Sequence, residues 1–196
     1  MASVITGDVG AGQSTSLRAA ADSLHPAQYC VIPIIATTGS LMEFLCQIGF
    51  VLADPPVSNS IARMMATVRA MLSDVASKKM IPVILIYEAH LFRLDVFSQL
   101  YTLAQLDYDS RTLVPLVLSG QSSLIDKLLY YTTKPFASRI VGRSHMEAIC
   151  HHPGHDLPLL WIFQKWILVT YTGYMISRTQ SLPVQGYSST QCHVQG

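Results

Sequence analysis

The chain carries few charged residues. Asp, Glu, Lys and Arg make up 13% of its 196 residues, about half of the share of roughly 25% that is usual for a globular domain. The formal net charge is +1, so the broad basic surface that binds nucleic acid by electrostatics alone is excluded. Apolar residues make up 50% of the chain, which is enough material for a sizeable core.

Cysteines are scarce and widely spaced. The four cysteines stand at positions 30, 46, 150 and 192, and no C-x-x-C pair is present. This spacing excludes a dense disulfide framework and is typical of a reduced compartment. The chain also lacks a basic and apolar leader at its start. We therefore expect a cytoplasmic protein.

A glycine-rich segment, residues 7–15 (GDVGAGQST), follows the pattern of a phosphate-binding loop with one exception. In G-x-x-x-x-G-K-[ST] loops, backbone N–H groups surround the phosphates, a lysine contacts the β and γ oxygens, and a hydroxyl holds Mg²⁺. Neutral Gln13 stands where that lysine is required. The sequence predicts that phosphate is bound by Gly7, Gly10, Gly12, Gln13, Ser14 and Thr15, and that Ser14 also holds Mg²⁺.

The flanks of this loop support the same interpretation. Val4, Ile5 and Thr6 form a short apolar lead-in that suits a buried parallel strand. Residues 14–24 carry apolar side chains at helical spacing, so the loop opens into a helix whose N-terminal dipole faces the anion. The order of strand, glycine loop and helix predicts a phosphate loop. An ordinary βα turn that never meets phosphate is the alternative.

Short apolar runs and helical periods alternate along the rest of the chain, as they do in βα units. The predicted strands are residues 28–35, 81–86 and 113–118, and the predicted helices are residues 40–52, 61–75 and 94–106. The run at 81–86 is apolar throughout, which is typical of a central strand buried on both faces. We therefore predict an α/β fold in three layers around a parallel sheet.

The strand predicted at residues 81–86 is followed by Tyr87 and Glu88. Ligands bind at the carboxyl edge of parallel sheets. Phosphate-loop ATPases place an acid for the Mg²⁺ shell at this edge, followed in many by a glutamate that polarises the attacking water. Tyr87 takes the first position, so the metal-side carboxylate is missing, and Glu88 remains as a candidate base. A solvated acid near a helix start is the alternative for Glu88.

With these residues in view, the chain resembles the AAA+ phosphate-loop ATPases of the ExeA and TniB type, which occur in secretion pathways and as ATP-binding partners of transposases. The resemblance spans about residues 3–149. It rests on the order and spacing of five segments: residues 6–15 (TGDVGAGQST), 84–90 (ILIYEAH), 106–111 (LDYDSR), 118–121 (LSGQ) and 138–143 (SRIVGR).

The resemblance implies that neighbouring subunits share an ATP site, in which an arginine of one subunit contacts the γ-phosphate bound by the next. Arg139 is the first candidate for this arginine and Arg143 the second, because a guanidinium group stabilises spread phosphoryl charge. A surface arginine paired with a carboxylate is the alternative. Gln121, in the sensor segment, is a candidate to hydrogen-bond the γ-phosphate or orient water, and equally a candidate helix cap.

The implied cofactors are ATP and Mg²⁺. The implied partners are further copies of the chain or an active paralogue, a transposase or a secretion partner, and DNA indirectly.

Two departures from the family pattern, Gln13 and Tyr87, bear on activity. A hydrogen bond to a charged group contributes about 1.5–3 kcal/mol, so loss of the lysine weakens nucleotide binding about ten- to a hundredfold. Because phosphoryl transfer depends on positioned charge and metal, we expect hydrolysis to be very slow or absent. A non-catalytic interaction module and the non-functional product of a decayed mobile-element gene are the alternatives.

Residues 147–196 do not show the helical lid that the resemblance implies. We predict a nucleotide-binding domain at residues 1–149, followed by a degenerate or poorly ordered tail. His151 and His155 have the i, i+4 spacing of a metal pair on one helix face, but the proline and glycine between them argue against that helix. Residues 157–169 are apolar, but they fall short of the roughly 20 residues that span a membrane. No membrane span is predicted.

Overall fold

The computed structural model describes residues 2–37, 39–52, 58–106, 111–112 and 114–146. Two short 3₁₀ turns lie at Ala89–Leu91 and Tyr131–Thr133. In chain order the other elements are β1 (Ala2–Gly7), α1 (Gln13–Ser23), β2 (Tyr29–Ile35), α2 (Leu41–Val51), α3 (Ile61–Ser77), β3 (Ile81–Tyr87), α4 (Leu94–Ala104), β4 (Gln105–Leu106), β5 (Arg111–Thr112), β6 (Leu116–Gly120), α5 (Ser123–Leu129), α6 (Lys134–Ala137) and β7 (Ile140–Met146).

A parallel sheet of five strands, in the order β2-β3-β6-β1-β7, organises the described residues. The strand β1 lies between β6 and β7, with Thr6 opposite Gly120 of β6 and His145 of β7. The short strands β4 and β5 form a separate antiparallel pair. The carboxyl ends of β1, β3 and β6 therefore meet at one edge of the sheet, where the loops after these strands begin.

Side chains alternate between the two faces of the sheet, and each face packs on helices. On one face, Ile5 of β1 and Val83 and Leu85 of β3 share a cluster with Leu17 of α1. On the other face, Val4 of β1 packs in a larger cluster to which α2, α3, α4 and α5 contribute. This arrangement is the predicted three-layer α/β fold, and it explains why β3 consists almost entirely of apolar residues.

Several boundaries differ from the sequence prediction. The strand predicted at residues 113–118 is β6. It begins after Pro115, because its partners in β1 and β3 first pair with it at Leu116, and it extends to Gly120, which pairs with Thr6 of β1. The helix predicted to end at residue 106 ends at Ala104, since the next two residues pair with β5. The segment at residues 138–143, one of the five that carry the resemblance, overlaps β7, which begins at Ile140, so Arg143 lies within that strand.

Several sequence predictions concern residues outside the described ranges. The histidine pair His151 and His155, the apolar run at residues 157–169 and the whole of residues 150–196 lie there. Within the described residues, no group of three or more His, Cys, Asp or Glu side chains is arranged to hold a metal ion. Among the same described residues, no helix has the length and apolarity that crossing a membrane requires.

Candidate functional site

The loop between β1 and α1 has a backbone shape that favours glycine. Gly10 and Gly12 have φ angles of 86° and 79°, in the left-handed region that residues with a side chain rarely adopt. A Cβ atom built at either position meets nothing within 4 Å. The space beside these glycines is therefore open to a ligand, which is the arrangement by which a glycine loop brings backbone N–H groups to phosphate.

Gly7 has a different role from the other loop glycines. Its φ angle is not in the left-handed region, but a Cβ atom at this position would lie 2.5 Å from the carbonyl oxygen of Met146 and 2.6 Å from Nε2 of Gln13. Glycine is therefore required here by the close approach of β7 and of the Gln13 side chain. Gly7, the first residue of the predicted motif, therefore allows the start of the loop to pack closely against β7 and Gln13.

The side chain of Gln13 is directed at the neighbouring strand β6. Its Nε2 atom donates a hydrogen bond to the carbonyl oxygen of Gly120 at 3.2 Å. Gln13 is the first residue of α1, so this bond connects the start of that helix to the carboxyl end of β6. The residue that replaces the lysine of the motif is thus neutral and already has a hydrogen-bond partner.

The loop forms one wall of a cleft of about 320 Å³. Its described lining consists of residues 7–15 together with Glu88 and Gln121. The structure therefore brings together the predicted phosphate loop, the candidate base and the candidate sensor residue. Among these lining residues, Asp8 and Glu88 carry carboxylates and none is a lysine or an arginine.

Glu88 occupies a left-handed backbone conformation, with φ 55° and ψ 34°, immediately after β3. Its side chain is 48% exposed, and its Oε2 atom lies 3.3 Å from Nδ1 of His90. The same Nδ1 atom accepts a hydrogen bond of 3.4 Å from the backbone N–H of Gln121. The ammonium group of Lys127 on α5 donates to the carbonyl oxygens of His90 and Phe92 and so fixes the 3₁₀ turn that carries His90.

Tyr87, which stands at the position of the expected metal-side acid, is not among the lining residues of the cleft. Its side chain packs with the cluster of Val83, Leu85 and Leu17 beneath α1. Burial raises the pKa of its phenol above the ordinary value of 10.0; Arg18 lowers that pKa and Asp22 raises it further. The phenol is therefore a neutral packing group at neutral pH.

Arg139 lies at the opposite edge of the sheet from the loop. Its carbonyl oxygen accepts a hydrogen bond of 3.0 Å from the backbone N–H of Ala2, the first residue of β1. Its guanidinium carbon lies 4.7 Å from the centre of the Tyr101 ring, and its Nη2 atom is 3.4 Å from the Tyr101 hydroxyl. Arg143 is exposed in the middle of β7, opposite Val4. Neither arginine reaches the cleft of its own chain, so a role in a neighbouring site stays a prediction.

The residues of the loop fit a phosphate group. The glycines leave open space, the first turn of α1 presents its N–H groups, and the side chains of Ser14 and Thr15 are exposed there. The Ser14 hydroxyl is the group that would hold Mg²⁺, and the second protein ligand expected at position 87 is replaced by a half-buried phenol. The site thus fits phosphate better than it fits the metal.

Sequence reasoning missed two residues of this region, His90 and Lys127. His90 follows Glu88 by two positions, and only the 3₁₀ turn brings its ring back against Gln121. Lys127 is 37 residues away from His90 along the chain. A lysine on a short helix carries no sequence signal for a contact of this kind.

A phosphate-shaped glycine loop at the carboxyl edge of a three-layer parallel sheet defines a phosphate-loop nucleotide-binding domain. The chain belongs to the AAA domain family, whose model matches residues 1–128. This membership confirms the predicted AAA+ class at the level of the family. A comparison with curated protein sequences gives no match.

Several solved structures share the fold. Cdc6p from Pyrobaculum aerophilum superposes with a TM-score of 0.57 and is 14% identical over 74% of this chain and 38% of that chain. The ORC2 protein of Aeropyrum pernix in its ADP form superposes with a TM-score of 0.56 and is 17% identical, over 75% of this chain and 42% of that chain. The Aeropyrum pernix ORC1 protein in complex with DNA superposes with a TM-score of 0.51 and is 16% identical, over 90% of this chain and 49% of that chain. The chain spans less than half the length of each.

Proposed function

We propose that this AAA domain binds ATP through its phosphates in the cleft, and that it hydrolyses ATP very slowly or not at all. The observation that carries the proposal is the combination of an open glycine loop with a neutral Gln13 bonded to Gly120. The loop retains the backbone donors that recognise phosphate. It has lost the ammonium group that strengthens binding and stabilises the charge of phosphoryl transfer.

The charge of the cleft argues for weak binding. The lining residues Asp8 and Glu88 oppose a polyphosphate anion, and no cationic side chain in the described lining offsets them. Binding therefore depends on the loop N–H groups, on the N-terminus of α1 and on Mg²⁺ held by Ser14. Mg²⁺, when bound, would neutralise part of the phosphate charge.

The contacts of Tyr87 and Glu88, at the carboxyl end of β3, support impaired hydrolysis. Tyr87 is half-buried against the cluster that includes Leu17 of α1, and it supplies no carboxylate for the metal. Glu88 keeps the position of a base that could polarise water, but its carboxylate lies 3.3 Å from His90. Gln121 lines the cleft and would hydrogen-bond the terminal phosphate or the attacking water.

For its partners, we propose assembly with further copies of the chain or with an active paralogue, in which Arg139 contacts the nucleotide of the neighbour. A role beside a transposase or in a secretion complex, as the resemblance to ExeA and TniB implies, belongs to the same proposal. The ORC1 protein of Aeropyrum pernix was solved in complex with DNA, which supports DNA as a component of that assembly.

A second candidate function is an interaction module that keeps the fold without binding nucleotide. The two carboxylates that line the cleft favour this candidate, since they repel a polyphosphate. It predicts that the full chain has no measurable affinity for MgATP, whereas the first candidate predicts weak but saturable binding.

Calorimetric titration of the full chain with MgATP, together with phosphate-release measurements, tests the proposal. We expect saturable binding that is lost in Gly12→Val, which puts a branched side chain at a positive φ where phosphate would approach. We expect little or no phosphate release from the unmodified chain and measurable release from the double variant with Gln13→Lys and Tyr87→Asp. Substantial turnover by the unmodified chain, or binding that survives Gly12→Val, would contradict the proposal.

A further inference from the structure

We propose that His90 is a positioning residue that links the candidate base Glu88 to Gln121, and that it serves one of the two at a time. The Nδ1 atom of His90 lies between them, 3.3 Å from Oε2 of Glu88 and 3.4 Å from the backbone nitrogen of Gln121. Both partners line the cleft. The side chain of His90 is only 12% exposed, so its ring is enclosed at this junction.

A single imidazole nitrogen cannot satisfy both partners. Toward Glu88, which has only acceptor oxygens when ionised, Nδ1 must carry a proton and donate it. Toward the N–H group of Gln121, Nδ1 must present its lone pair and accept. A protonated Nδ1 therefore holds the carboxylate of Glu88 and releases the Gln121 amide, whereas a bare Nδ1 holds the amide and releases the carboxylate.

The surroundings of His90 hold its ring in place, whichever of the two partners its Nδ1 atom contacts. Lys127 donates to the carbonyl oxygens of His90 and Phe92, which fixes the turn on one side. On the other side, a Cβ atom on Gly120 would lie 3.0 Å from the backbone nitrogen of His90 and 3.2 Å from Nδ1, so a side chain at position 120 would crowd the ring. The groups that can change their contacts are the carboxylate of Glu88 and the backbone amide of Gln121.

The link extends to the phosphate loop through Gly120, whose carbonyl oxygen accepts the hydrogen bond from Gln13. The peptide unit between Gly120 and Gln121 thus contacts Gln13 through its carbonyl oxygen and His90 through its N–H group. A ligand that draws Gln13 or Gln121 toward itself changes what His90 contacts, and so determines whether Glu88 is held or released. This consequence rests on the proposed nucleotide site, but the link itself is testable without nucleotide.

Amide hydrogen exchange at Gln121 in the ligand-free full chain tests the link. In His90→Phe the acceptor is lost, and we expect exchange at Gln121 to become about fivefold faster, the factor that corresponds to a net hydrogen bond of about 1 kcal/mol. In Glu88→Asn the side chain is one methylene shorter, and asparagine tolerates the left-handed backbone of this position. Removal of the competing carboxylate should then make exchange at Gln121 slower than in the unmodified chain.

His25 supplies the matched control, because its Nδ1 atom accepts a hydrogen bond of 3.2 Å from the backbone N–H of Ala27 in an exposed connection. His25→Phe should change exchange at Ala27 and leave Gln121 unaltered. Opposite effects of His90→Phe and Glu88→Asn on one amide support the proposal, since a merely structural histidine would not produce them.

An unchanged or faster rate at Gln121 in Glu88→Asn overturns the proposal, even if His90→Phe fails to fold. An absence of MgATP binding in calorimetry would overturn the proposed function instead, and it leaves the exchange result as it stands.

Discussion

Replacement of Gln13 by lysine should tighten MgATP binding about ten- to a hundredfold, which corresponds to about 1.4–2.8 kcal/mol. The Nε2 atom of Gln13 donates a hydrogen bond to the carbonyl oxygen of Gly120 at 3.2 Å. A lysine side chain is one atom longer and ends in a positive charge, so it can extend past Gly120 to the phosphate oxygens. It would also offset one of the two carboxylates, Asp8 and Glu88, that line the cleft.

Calorimetric titration at low and at high salt measures this effect, and Gln13→Met is the matched control. Methionine has a similar length but neither charge nor hydrogen-bond donor, so it releases Gly120 without adding a cation. We expect Gln13→Met to bind no more tightly than the unmodified chain, and we expect the gain in Gln13→Lys to shrink as salt screens the new charge. An equal gain in both variants would show that the hydrogen bond between Gln13 and Gly120, and not the lack of a positive charge, limits the affinity for MgATP. That result would refute the electrostatic reasoning.

Three further predictions concern stability. Phe97→Ala removes a fully buried ring that packs near two other phenylalanines and should lower the free energy of unfolding by about 3–5 kcal/mol in urea denaturation, whereas Phe50→Ala, at a ring that is 69% exposed, should change it by about 0.5 kcal/mol or less. Gly7→Ala should lower the melting temperature, because its Cβ would lie 2.5 Å from the Met146 carbonyl oxygen; an unchanged melting curve would contradict that packing. Burial raises the pKa of Tyr87 above 10.0. The unfolded chain therefore loses its phenol proton first, and the free energy of unfolding falls as pH rises above about 10. In the same denaturation assay, Tyr87→Phe should show a smaller fall in the free energy of unfolding between about pH 8 and about pH 11.

The sequence predicted those parts of the fold that depend on local pattern. The strand β3 is recognisable because a strand buried on both faces consists of consecutive apolar residues. The glycine loop is recognisable because Gly10 and Gly12 occupy backbone conformations that other residues avoid. The limits of β6 could not be predicted, because they depend on where β1 and β3 begin to pair with it.

Of the candidate site residues, the loop, Glu88 and Gln121 line one cleft, whereas Arg139 lies away from it. Glu88 was indicated by its position directly after the apolar strand, and Gln121 by the resemblance of its segment to a family sensor; the two meet because the carboxyl ends of neighbouring parallel strands share one edge of the sheet. The hydrogen bond from Gln13 to Gly120 and the position of His90 between two cleft residues depend on side-chain directions in the folded chain. No spacing rule encodes such contacts, because they join segments that are distant in sequence.

The supports of the phosphate loop have a consequence for the timing of ligand exchange. Gly7 packs against the end of β7, and Gln13 is bonded to the end of β6, so both neighbours of β1 hold the loop in shape before any ligand enters. A preformed loop loses little conformational freedom on binding and places no slow rearrangement before association. The weakness introduced by a neutral Gln13 should therefore appear as a short residence time of the bound nucleotide, with rapid entry and rapid escape.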